Sequence, residues 1–252
     1  MSFEACAQIV ERGDPDRFQA MLAAPVEMRR AMAAVFAFNI EVSRAPWVTQ
    51  EPMIAEMRLQ WWRDALEEIG DAKKVRTHEV TTELAAVLTP EAASLLDQLV
   101  EARRFDIERV PFANWSDFER YLRDTSGRLM GALALCTEVA PDPQSLIDYG
   151  GAAGLANWYR GYAQLKAQGG SGLPDDTPEV LAERAAMALD AMRRTARLIP
   201  KRAYPIVRTS WPAAGILRTA AGKPSAIING GLHNSEFRRR AGLMWRVLTN
   251  RI

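Results

Sequence analysis

Between Asp148 and Asp175 the sequence contains no aspartate or glutamate. The chain carries 31 acids in 252 residues, so a stretch this long holds about three at average usage. The bases stay: YGGAAGLANWYRGYAQLKAQGGSGLP keeps Arg160 and Lys166 beside Trp158, Tyr159, Tyr162 and a scatter of glycines. Other scarcities narrow the function classes. The two cysteines, Cys6 and Cys136, fit no metal or redox spacing and read as reduced packing residues of a cytosolic compartment. The two histidines, His78 and His233, have no carboxylate or cysteine at ligand spacing, so they read as structural rather than catalytic. No apolar run reaches the roughly 18 residues of a membrane span. The beginning, MSFEACAQIVERGD, has an early acid and no apolar core of a secretory signal, nor the Arg-rich character of a transit peptide. A cytoplasmic protein, at most peripheral at the inner membrane, is expected. A net charge of +1 gives no global case for nucleic acid.

Helix formers dominate what is present, and alternating apolar/polar runs are scarce. Asp14-Pro15 opens one helix, and Pro25 starts another through VEMRRAMAAVFAFNIEVSR, with Met28, Met32, Val35, Phe36 and Asn39 at helical spacing. Pro52 begins a third that closes at Gly70. Further helices are expected at about 79–88, 90–109, 115–138, 143–168, 176–199, 202–220 and 235–250, with a capping box at Ser116 and Glu119. The expectation is one all-α domain over residues 1–252, built from eight to ten helices.

Few motifs carry chemistry on their own. GGAAGLAN follows no strand and lacks the Lys-Ser/Thr of a phosphate loop. No nucleophile elbow is present. Asp64, Glu67 and Glu68 share one helix face and are placed for a cation, but such clusters are far more often solvated faces, which is the preferred reading.

Four ordered segments then carry a resemblance: DPDRFQAMLAAPVEMRRAMAAVFAFNIEVSR, RLQWWRDALEEI, YLRDTSGRLMGALAL and GLANWYRGYAQLKAQGGSGLP. In order and character they resemble the squalene/phytoene synthase family of head-to-head prenyltransferases, over about residues 14–175. The last segment aligns without a gap from Leu155 to Pro174, with Asn157, Arg160 and Leu173-Pro174 where that family has Asn, Arg and Leu-Pro. The resemblance implies an isoprenoid-synthase-like helical bundle with a central cavity. It also implies Mg²⁺, held by two aspartate pairs on facing helices, which would neutralise a leaving diphosphate.

Carried over one at a time, those aspartates are missing. The first motif falls on Ser43, Arg44 and Trp47, and the second on Gly161 and Leu165. Glu41 lies about 200° around the helix from Ser43 and faces away. A shift of one residue rescues nothing, because no acid occurs from 42 to 50 or from 149 to 174. The expectation is no metal, no catalytic residue and no cofactor, with Mg²⁺ implied only if the chain is an active synthase. AFNIE at Ala37–Glu41 and RLQWW at Arg58–Trp62 resemble a branch of that family, the assembly-factor group of mitochondrial NADH:ubiquinone oxidoreductase (complex I). That branch implies respiratory-complex subunits as partners and a non-catalytic accessory role. The alternatives are an active squalene or phytoene synthase in isoprenoid biosynthesis, and a protein that binds an anionic isoprenoid or lipid without turnover.

For such an anion the candidates are Phe38, Asn39, Arg44, Arg58, Trp61, Asn157, Trp158 and Arg160, with the arginines on phosphate or carboxylate and the aromatics on the tail. The C-terminal SEFRRRAGLMWRVLTNRI aligns Phe237, Ala241, Met244, Trp245 and Leu248 on one stripe, with five arginines against one glutamate. Arg238, Arg239, Arg240 and Trp245 are its candidate membrane contacts. A terminal helix docked on the bundle is the slightly preferred alternative.

Overall fold

The structure is a computed structural model and describes residues 3–140, 142–170, 172–232 and 236–252, with the side chains of 236–239 outside the description. Its α-helices run α1 (Phe3–Gly13), α2 (Pro15–Leu22), α3 (Val26–Arg44), α4 (Pro52–Gly70), α5 (Glu79–Ala85), α6 (Pro90–Arg103), α7 (Phe105–Glu108) and α8 (Trp115–Leu122). A π-helical turn, Arg123–Gly127, leads into α9 (Arg128–Cys136). Then follow α10 (Gln144–Ala167), α11 (Pro178–Ala196), α12 (Tyr204–Val207), α13 (Ala213–Gly222), α14 (Ser225–Ile228) and α15 (Glu236–Leu248). Among the described residues there is no strand.

The helix starts follow local chemistry. The Asp14 carboxylate accepts the Arg17 backbone N–H at 3.0 Å, and Pro15 fills the first helical position, where no N–H is needed. Thr89 and Pro90 repeat the device at α6. The predicted Ser116/Glu119 box is replaced by an earlier cap: the Asn114 side chain accepts the Asp117 backbone N–H at 2.9 Å. Glu119 pairs instead with Arg184, at 3.2 Å.

Helix α3 lies at the centre. Every residue from Ala31 to Ile40 is buried, so it is covered on all sides rather than along one stripe. Helices α4, α6, α9 and α10 join it in one hydrophobic core. α10 comes close because its glycines leave room: a methyl on Gly150 would lie 2.8 Å from the Ser126 carbonyl, and one on Gly154 would lie 2.9 Å from the Ser126 side chain at Cβ. Gly150, Gly151 and Gly154 are therefore a packing surface for the π-helical turn.

Two predicted helices are broken. The span 90–109 ends at Arg103, and α7 stops at Arg109, whose φ is 54°. The span 202–220 becomes short turns up to Ser210, because Pro205 and Pro212 each remove a helical N–H, and only α13 is a full helix there. His78 is structural, as expected: its Nδ1 accepts the Val80 N–H at 3.2 Å, and its ring packs edge-on to Trp61 and Trp62. His233 lies outside the described residues. The Asp64–Glu68 face carries its own counter-charges, with Arg76 2.7 Å from Glu68 and 3.5 Å from Asp64 and Lys73 3.3 Å from Glu67.

Both cysteines are free. Burial pushes Cys6 up to about 12, with Glu83 and Glu79 adding to it, and burial pushes Cys136 up to about 12. At pH 8 the thiolate fraction is then on the order of one in ten thousand. Alkylation by iodoacetamide is expected to run at least about a hundredfold slower in the native chain than in the urea-unfolded chain. Equal rates would contradict their burial.

Candidate functional site

A cavity of about 350 Å³ opens between α10 and the α6–α8 region, with the π-helical turn on one wall. Asn157, Trp158, Gly161, Gln164 and Leu165 of α10 line it, opposite Trp47, Arg103, Asp106 and Tyr121. It thus brings together one position onto which the resemblance carries the first aspartate motif, Trp47, and both positions onto which it carries the second, Gly161 and Leu165. Two of these close on the same glycine. A methyl on Gly170 would lie 2.9 Å from Trp47 Cη2 and 2.7 Å from Leu165 Cγ. Apolar side chains from the two motifs converge where facing carboxylates were implied.

Among the described residues, Asp106 is the only acid that lines the cavity. Its carboxylate is 4% exposed and accepts from Arg103 Nη1 at 3.1 Å and from the Tyr121 hydroxyl at 2.7 Å. Arg103 Nη1 also donates to the Tyr121 oxygen at 2.7 Å, closing a triangle. Burial opposes the Arg103 charge, but Tyr121 and Asp106 outweigh it and hold its pKa above the ordinary value. Burial also raises the Tyr121 phenol well above its usual pKa, so it stays protonated and donates.

Two more arginine–aspartate pairs lie alongside. Arg160 Nη1 meets Asp16 of α2 at 2.8 Å, and its Nη2 reaches Asn157 Oδ1 at 3.4 Å. Arg17 sits 3.6 Å from Asp14, over the Phe36 ring at 5.2 Å. Burial lowers the Arg17 pKa; Asp14 counteracts this, while Arg160 and Arg103 lower it further, so the three guanidinia lie within each other's field. The acid-free stretch is closed at its far end by Asp176, which accepts from Lys166 at 2.6 Å and from the Tyr162 hydroxyl at 3.0 Å. These bonds hold Asp176 below the usual carboxylate range.

The residues do not fit Mg²⁺. Its octahedral shell needs carboxylate oxygens free to turn toward it, and the one lining carboxylate is already shared by a guanidinium and a phenol. Ser43 spends its hydroxyl on the Ile40 carbonyl at 3.0 Å. Among the described residues no three His, Cys, Asp or Glu gather at metal-binding distance.

The other predicted binding residues scatter. Phe38 is sealed in the core against Trp62, 5.3 Å between ring centroids, and Asn39 is 9% exposed. Arg44 and Arg58 are exposed on α3 and α4 and do not line the cavity. Trp61 stacks away from it, beneath the Arg76 guanidinium. Of the eight, Asn157 and Trp158 line the cavity and Arg160 borders it. Sequence reasoning does not find Asp14, Asp16, Arg17, Arg103 or Asp106: Asp14-Pro15 reads only as a helix start, and the i, i+3 spacing of Arg103 and Asp106 is the one signal present.

Residues 10–178 match the squalene/phytoene synthase family model. The chain belongs to the squalene/phytoene synthase family. A dehydrosqualene synthase superposes with a TM-score of 0.79 at 14% identity, covering 98% of this chain and 95% of that one. The squalene synthase HpnC from Alicyclobacillus acidocaldarius superposes with a TM-score of 0.69 at 16% identity, covering 88% and 94%. At these identities the likeness shows the fold alone. Among curated proteins, the Drosophila melanogaster homolog of NADH dehydrogenase (ubiquinone) complex I assembly factor 6 is 33% identical over 135 residues. That match covers 50% of this chain and 39% of the relative. The human assembly factor 6 is 23% identical over 137 residues, covering 50% and 38%. The chain therefore matches well under half the length of these relatives.

The C-terminal helix is docked, though by another face than its predicted apolar stripe. Leu243 packs with Ala20 and Trp211, Val247 joins them, and Arg246 Nη1 donates to the Trp211 carbonyl at 3.0 Å. Ala241, Met244, Trp245 and Leu248 face solvent. Phe237, Arg238 and Arg239 have side chains outside the described residues, and Arg240 is exposed. Among the described residues no helix is long and apolar enough to cross a membrane.

Proposed function

We propose that this protein is a non-catalytic member of its family that serves as an accessory or assembly factor for respiratory complex I. The observation that carries the reading is the closed Arg103–Asp106–Tyr121 triangle, in a cavity whose former metal positions are Trp47, Gly161 and Leu165. Ionising a diphosphate needs concentrated positive charge that the substrate can reach. Here the cationic groups around the cavity are already matched to aspartates, so it is a stable scaffold without the reaction's electrophilic half. The relatives named as complex I assembly factors supply the partner class. Trp245 and Leu248, 63% and 76% exposed on a basic helix, support peripheral contact with the membrane that holds such a complex.

Affinity purification of the tagged full chain from detergent-solubilised membranes is expected to enrich complex I subunits at least about tenfold over an untagged control. Enrichment of isoprenoid-pathway enzymes, with no respiratory subunits, would overturn the assignment. A second reading, retention of an anionic isoprenoid without turnover, is favoured by the size of the cavity and by Trp47 and Trp158 in its wall.

A further inference from the structure

Four arginines gather around a second hollow, of about 210 Å³, between α11, α13, α15 and the turn Arg208–Ser210. They are Arg193, Arg208, Arg218 and Arg246, each from a different element, and the lining includes no aspartate or glutamate. Arg208 is 7% exposed. Its Nε donates to the Arg251 carbonyl at 2.9 Å and its Nη2 to the Asn250 side-chain oxygen at 2.7 Å, both neutral acceptors. Arg246 has the Trp211 carbonyl. Among the described residues no carboxylate side chain pairs with any of the four. Arg17, Arg103, Arg160 and Arg184 each have one.

This imbalance has an electrostatic cost. Burial lowers the pKa of Arg208 and of Arg246; at Arg246 Tyr149 counteracts the burial, and Arg218 adds a smaller repulsion. A guanidinium does not escape by losing its proton, so the charge is there to be matched. Arg193 and Arg218 are exposed, whereas Arg208 is anchored from behind by the chain's last residues. Planar forks of this kind bind phosphate oxygens in pairs; Tyr149 lines the hollow beside Ser210, whose own hydroxyl donates to the Val207 carbonyl at 2.9 Å.

We propose that this hollow is a binding site for a phosphate-bearing anion, held by Arg208 and Arg246 and closed by Arg193 and Arg218. It is separate from the central cavity, whose arginines are already paired, and does not depend on the accessory role proposed above. The phosphate is either free or part of a lipid headgroup, since Met244, Trp245 and Leu248 project from the helix that carries Arg246.

The test uses the full chain, the double variant R193Q/R218Q, and R120Q as a control at an exposed arginine of α8 that lines neither hollow. Inorganic pyrophosphate and glycerol phosphate are titrated by calorimetry, and vesicles of phosphatidylcholine with and without phosphatidylglycerol are co-sedimented. The unmodified chain is expected to bind at least one probe. R193Q/R218Q should weaken that binding at least tenfold, and R120Q should leave it unchanged. Binding of the soluble probes identifies a free phosphate compound, and binding of the phosphatidylglycerol vesicles alone identifies a headgroup. No binding to any probe would overturn the site, as would binding that R193Q/R218Q leaves intact or that R120Q weakens as much.

Discussion

Asp106→Ala is expected to lower stability by about 3–5 kcal/mol, the usual cost of breaking a buried ion pair from one side. The Arg103 guanidinium would keep its charge with no carboxylate to match it, and the Tyr121 hydroxyl would lose its acceptor. For a chain of this size the melting temperature should fall by on the order of 10 °C. The arithmetic differs when both charges are removed. Replacing a buried pair by apolar groups of similar volume is often neutral, so R103M/D106L should recover most of the loss. Calorimetric melting of the single and double variants reads the coupling directly. A single variant melting within about 1 °C of the parent would show that the triangle does not hold the cavity wall together.

The second large effect is expected at Gly150. Its α-carbon faces the π-helical turn so closely that an alanine methyl would sit 2.8 Å from the Ser126 carbonyl and 3.0 Å from the Gly127 α-carbon. Both are backbone atoms, so no rotamer change relieves the contact. Helix α10 must move as a unit, and overpacking of this kind costs about 1–3 kcal/mol. A methyl on Gly127 would lie 2.5 Å from the Ile147 carbonyl in the same sense. G127A and G150A share one crossing, so their losses should be non-additive once the helices have separated. By contrast Gly161 and Gly222, with nothing within 4 Å, should accept alanine without loss. Denaturant midpoints of the four variants check the ordering, and equal midpoints for G150A and G161A would contradict the close packing.

How far the sequence reveals this molecule depends on the range of each interaction. Helix α3 is legible because burial on all sides leaves an apolar run bounded by Pro25 and Pro46. The absence of acids from 149 to 174 is legible too, since an absent residue type requires no geometry to detect. The cavity's replacement charges are not. Arg160 finds Asp16 from 144 positions away, and Arg103 finds Tyr121 only after the chain turns at Arg109. The arginine hollow is assembled from four elements and has no linear signature at all. The C-terminal helix shows a subtler limit. Its periodicity marks an apolar stripe, but Leu243 and Val247 form a second one, and only packing decides which of them docks. The acid-free stretch combines these cases: Gly150, Gly151 and Gly154 serve packing, its missing acids fall where the family resemblance implied a metal site, and its retained Arg160 is neutralised from another helix.

The central claim is that this family fold no longer performs its family's reaction, and turnover tests it most directly. The purified full chain is incubated with farnesyl or geranylgeranyl diphosphate, Mg²⁺ and a nicotinamide reductant, and the organic extract is searched for C30 and C40 hydrocarbons. The account predicts none above a protein-free control. Sustained formation of either product, abolished by substitution at Asn157 or Arg160, would contradict it.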